Sequence, residues 1–172
     1  MNALVPPQAW HAEGLALHER MKLMRYELAQ CGWRIWKRPK WSTHAFKGTS
    51  MTFHPLRLMV TRVGVDLEDD ATPLSEATLF AHEMAHVLQG AGSRVLWTLR
   101  YLLFPGFRRA VEEEAFAHGM ALALAAGHTG WHYKDPAVLR PLYLLKRDES
   151  TAERVHRRAR DLVASGAGGS TP

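Results

Sequence analysis

The stretch Leu79-Phe80-Ala81-His82-Glu83-Met84-Ala85-His86-Val87-Leu88-Gln89 constrains this chain more than any other. It carries His-Glu-x-x-His inside an apolar run that reads as a helix. Residues four apart on a helix share a face, so His82 and His86 project side by side. Two neutral imidazoles in that arrangement reach one zinc ion at about 2.0–2.1 Å each. Glu83 stands beside them, placed to take a proton from water activated by the metal. Together these residues predict a zinc-dependent hydrolase. The plainer reading is a surface helix bearing two solvated histidines. Against it stand the apolar neighbours Leu79, Phe80, Ala81, Ala85, Val87 and Leu88, a well-marked helix start and a Glu-rich helix downstream.

That helix start is Thr72-Pro73, an N-cap residue followed by a proline at the first helical position, with Glu76 favouring the positive end of the dipole. The helix is expected from Pro73 to Gln89 and is closed by Gly90 and Gly92. Upstream, Trp10, Leu17, Met21, Met24 and Leu28 form one apolar stripe of a helix predicted over Gln8–Gln30, ended by Cys31-Gly32. Trp33, Ile35 and Trp41 suit a first strand. Thr49–Leu67 holds two more, with a turn at His54-Pro55. Ser93–Phe104 reads as a helix or an apolar lid, interrupted by Pro105-Gly106. A strong helix is predicted over Phe107–Ala126 and a basic amphipathic one over Glu149–Ala164.

The fold class these elements predict is α+β: a small, mostly antiparallel sheet from residues 33–65 packed on the His-Glu-x-x-His helix, with flanking helices. At 172 residues, 47% hydrophobic and 23% charged, the chain suits one domain over residues 1–164, followed by a flexible Gly/Ser-rich tail over 165–172. A lone cysteine, Cys31, excludes an intrachain disulfide and a cysteine-rich zinc site. The N-terminus shows no secretory pattern. The most apolar run, Val95–Phe107, is broken by Arg100, Pro105 and Gly106 and is too short to span a bilayer, so the cytoplasm is the expected location.

A catalytic zinc takes three protein ligands and keeps one position open. Between Val87 and Ala117 only Glu112, Glu113 and Glu114 can supply the third. The metzincin spacing is absent, since Gln89 and Gly92 stand where Gly and His are required. Glu112 shares its helical face with Ala115 and Gly119, small residues that let two helices approach. Glu113 shares a face with Phe116 and Met120, and Glu114 with Ala117, His118 and Ala121. All three glutamates remain open on spacing alone.

His82-Glu83-Met84-Ala85-His86 followed by Glu112-Glu113-Glu114-Ala115-Phe116-Ala117 resembles the gluzincins. In particular it resembles the small bacterial and phage-type peptidases with an E-x-E-A-x-A helix, over roughly residues 50 to 126. The resemblance implies a zincin-like fold, zinc held by His82, His86 and Glu112, and Glu83 as general base in peptide hydrolysis. It also implies a strand near the active helix, within Leu58–Val65, that pairs with an extended substrate. The chain departs from the family at Phe116, where thermolysin-like and Ste24-like members often carry an Asp that partners a ligand histidine.

Candidate donors to the oxyanion are Tyr101, His118, His132 and Tyr133. Two other roles compete with the peptidase: an inactive zincin-fold scaffold, and a nucleic-acid-associated protein. The second is prompted by a net charge of +5, a pI near 9.7 and the clusters Lys37, Arg38, Lys40 and Arg154, Arg157, Arg158, Arg160. No recognition motif accompanies those clusters.

Overall fold

The computed structural model describes residues 10–11, 14–37, 51–61, 74–128 and 149–167. Among them the elements run α1 (Leu17–Gln30), β1 (Arg34–Lys37), β2 (Met51–Phe53), β3 (Leu58–Thr61), α2 (Leu74–Gln89), α3 (Arg94–Leu103), α4 (Pro105–Ala125) and α5 (Glu149–Ala167).

The first helix starts at Leu17, later than its apolar stripe predicts. Gly14 explains the delay: its φ of +82° is a left-handed conformation that no helix continues through. Trp10 and His11 instead form a short 3-10 turn that folds back into the core. The Trp10 indole donates to Glu27 Oε2 at 2.8 Å. The buried Arg20 guanidinium donates to the carbonyls of Trp10, Leu15 and Ala125, tying this N-terminal turn to the end of α4. A buried cation with three carbonyl partners is satisfied and keeps its charge.

The sheet has the order β1-β3-β2. β2 and β3 are joined through residues 54–57 and pair antiparallel, Met51 opposite Val60 and Phe53 opposite Leu58. β1 pairs with β3 in parallel, Arg34 beside Leu58 and Lys37 beside Thr61. The expected mostly antiparallel sheet is therefore a mixed one. A four-residue turn allows only antiparallel return, whereas the long connection from β1 lets its partner arrive in the same direction. The strands are also shorter than the 33–65 region that suggested them. Trp41, Val63, Val65 and the Thr72-Pro73 start signal lie outside the described residues.

Helix α2 is central. Its residues Ala77, Phe80, Ala81, Met84 and Val87 form the main core with Met21, Met24 and Leu28 of α1, Trp33, Met59 of β3 and Leu122 of α4. A second apolar cluster joins Phe116, Ala117, Met120 and Ala121 of α4 to Val155, Ala159 and Leu162 of α5. Between α2 and α4 the approach is close: a Cβ added at Gly119 would lie 2.8 Å from the Thr78 carbonyl oxygen. The small stripe read in the sequence thus brings Glu112 to α2. At the other end of the chain α5 continues past Ala164 to Ala167, with Ser165 Oγ bonded back to the Leu162 carbonyl at 2.9 Å. The start of the expected tail is accordingly helical, and residues 168–172 lie outside the described residues.

Candidate metal centre

Helix α2 presents His82 and His86 from successive turns, and α4 presents Glu112 across from them. The His82 and His86 Nε2 atoms are 3.1 Å apart. Glu112 Oε2 lies 3.4 Å from His82 Nε2, and Glu112 Oε1 lies 3.6 Å from His86 Nε2. Ligands at zinc's usual 2.0–2.1 Å in a tetrahedral shell stand roughly 3.3 Å from one another. The two rings stand close to that separation, and the Glu112 carboxylate turns one oxygen to each ring, so the donor set suits a metal such as zinc. Among the described residues this is the group of three whose donor atoms converge within 4.8 Å. All three are buried, as is Glu83.

The neighbours define protonation. Burial by itself would raise the Glu112 carboxyl, but hydrogen bonds from His82 and His86 outweigh it and hold the group well below the usual carboxylate range. For His86, burial presses downward and the Glu112 carboxylate more than offsets it, leaving the imidazole above its ordinary value. Gln89 orients that ring. Its amide nitrogen donates to the Val111 carbonyl at 2.9 Å, so its Oε1 is the atom facing His86 Nδ1, also at 2.9 Å. Nδ1 therefore donates, and Nε2 is the nitrogen turned toward the ligand cluster.

His82 is oriented differently. Its Nδ1 is buried with no hydrogen-bond partner among the described residues. Phe116 packs against the ring with centroids 4.6 Å apart. The position where the resembling family often carries an Asp thus contributes packing in place of a hydrogen bond.

Glu83 faces the sheet. The Thr52 hydroxyl of β2 lies 2.6 Å from Glu83 Oε2 and 3.2 Å from the Glu83 carbonyl oxygen, and its one proton goes to the nearer carboxylate. Tyr101 of α3 donates its hydroxyl to Glu112 Oε1. Behind Tyr101, Trp97 stacks at 5.1 Å and in turn lies 4.2 Å from the fully buried His54.

The other glutamates are placed elsewhere. Glu113 pairs with Arg154 of α5 at 2.9 Å, and Glu114 pairs with Arg158 at 2.7 Å and with His118 at 3.6 Å. The same pairs occupy two arginines of the C-terminal basic cluster. Of the oxyanion candidates, Tyr101 is at the centre. His118 is not: its Nδ1 meets His11 Nε2 at 3.1 Å. His132 and Tyr133 lie outside the described residues, as do Arg38 and Lys40. Sequence reasoning passed over Thr52 and Gln89 as site residues. Gln89 had a readable signal, since it stands three residues after His86 on the same helical face. Thr52 had none, because only the packing of β2 on α2 brings it near.

No known protein family, curated protein or solved structure matches this chain.

Proposed function

We propose that this protein is a zinc-dependent peptidase of gluzincin type, with His82, His86 and Glu112 holding the metal. The observation that carries the reading is the convergence of these three donor groups within 4.8 Å, with Glu83 next to His82 in the same helix. A structural zinc takes four protein ligands, most often cysteines, whereas two histidines and a glutamate with a position left over are the ligand set of a hydrolase. Bound there, zinc supplies Lewis acidity, polarising a carbonyl and making water easier to deprotonate. Glu83 takes the proton from the attacking water and passes it to the leaving amine, its carboxylate held in place by the Thr52 hydroxyl. Tyr101 would serve the oxyanion by turning its one hydroxyl proton from Glu112 Oε1 to it. The substrate strand shifts from the expected Leu58–Val65. β3 is flanked on both sides, while β2 is an edge of the described sheet and already touches Glu83, so β2 is the strand proposed to pair with an extended peptide.

A second reading has its own observation. His82, Glu83, His86 and Glu112 are each only 4–6% exposed, which suits a zincin-fold scaffold whose metal serves stability. One experiment separates the two: metal content and peptide-library cleavage of wild type, Glu83→Gln, Glu112→Ala and Glu114→Ala. The peptidase predicts one zinc per chain, lost with Glu112→Ala alone, and cleavage lost in Glu83→Gln although zinc is retained. Zinc without cleavage in the wild type, with unfolding on chelation, establishes the scaffold.

A further inference from the structure

Helix α3 carries its aliphatic residues on the face turned away from the protein. Its inner face, Trp97 and Tyr101, belongs to the metal centre. Its outer face holds Val95, Leu96, Leu99, Leu102 and Leu103, continued by Phe104, and these six are 48–67% exposed. No residue of α3 is buried. At 100° per residue the five helical positions fall within an arc of about 120°, a continuous ridge along the helix. An exposed apolar patch of this extent marks an interaction surface. Around it the charge has one sign: residues 91–111 contain Arg94, Arg100, Arg108 and Arg109 and no Asp or Glu.

We propose that this face docks on the surface of an anionic phospholipid bilayer, with α3 lying in the plane of the interface. Three features select this partner. The ridge is a convex helix surface, which a deformable acyl-chain boundary accepts without a preformed groove. Leucine and valine on one side with Arg100 at the margin suits an interfacial helix. The positive charge of residues 91–111, which include no Asp or Glu, is complementary to anionic headgroups. Docking in the plane also agrees with length, since no described helix is long and apolar enough to cross a membrane. Because Tyr101 sits on the opposite face of the same helix, the metal centre is held close to the bilayer and its substrates are drawn from segments near the membrane surface. The docking itself does not depend on the metal or on catalysis.

The test uses the whole chain, sedimented with phosphatidylcholine vesicles with and without phosphatidylglycerol, at low and high salt. Expected is binding to the anionic vesicles that salt weakens. The pair Leu99→Ser/Leu103→Ser weakens binding tenfold or more. Arg100→Ser/Arg109→Ser weakens it about 25-fold, at about fivefold per arginine. Failure of the wild type to bind anionic vesicles at low salt overturns the proposal and leaves a protein groove as the partner. Equal binding by the leucine pair overturns it as well. A fall in the unfolding midpoint of that pair beyond what the lower helix propensity of two serines accounts for shows the face is covered by the chain itself. A wild-type dimer that the pair dissociates shows the occupant is a second copy. Either of these last results also overturns it.

Discussion

The Gly119→Ala substitution probes the contact on which the candidate metal centre depends. A Cβ at this position would stand 2.8 Å from the Thr78 carbonyl oxygen and 3.5 Å from its carbonyl carbon, where ordinary contact begins near 3.4 Å. The obstacle is backbone, so no side chain can rotate out of the way. Helices α2 and α4 must separate by about 0.6 Å, the difference between 3.4 and 2.8. Overpacking a well-packed interface costs ~1–3 kcal/mol, and a backbone obstacle places this site toward the upper end. Alanine's better helix propensity offsets ~1 kcal/mol of that. The expected net loss is ~1–2 kcal/mol, a fall in Tm of ~2–8 °C for a chain of this size. The same separation moves Glu112 away from His82 and His86, so zinc affinity should fall ~10-fold, as when ligand support is removed. Thermal unfolding of the metal-free protein followed by zinc titration measures both. A variant as stable as the wild type, with unchanged zinc affinity, refutes the close approach and with it the placement of Glu112.

Two further substitutions test buried groups other than the proposed ligands. Burial pushes the Glu27 carboxyl up to about 7, with the Trp10 hydrogen bond opposing. A raised carboxyl contributes its full stability below pH about 4.5 and loses it as pH climbs toward 7. Glu27→Gln should therefore gain on the wild type across that window in denaturant unfolding, and a difference flat with pH refutes the assignment. In Gly90→Ala the new Cβ would lie 2.0 Å from His54 Cε1, and Trp33 and Trp97 leave that ring no retreat. A loss of about 3 kcal/mol is expected, largely recovered when His54→Ala is added, and simple additivity of the two changes would show that they do not touch.

Much of the site is written locally. The C-terminal end of the helix bearing His82, Glu83 and His86 was read at Gln89 before Gly90, because cap chemistry and apolar spacing act over a few residues, while its start signal lies outside the described residues. The turn at His54-Pro55 was readable for the same reason. The phase of Glu112 with Ala115 and Gly119 was also legible, and the close approach at Gly119 gives that phase its meaning. The first helix was read too long because an apolar stripe says which residues share a face, while Gly14 decides where the backbone turns.

What the sequence by itself determined is therefore the set of candidate donors and the face each shares on its own helix. It favoured Glu112 without excluding Glu113 or Glu114. Tertiary structure separated them: α5 brings Arg154 and Arg158 to Glu113 and Glu114, and Gly119 lets α4 carry Glu112 to α2. It also gave Thr52 to Glu83 and Tyr101 to Glu112, turned the leucines of α3 outward, and set β1 parallel to β3. Side-chain periodicity is fixed by bond geometry over one or two turns. Distances across 30 or 40 residues are fixed only by which surfaces pack, and that is a property of the whole chain.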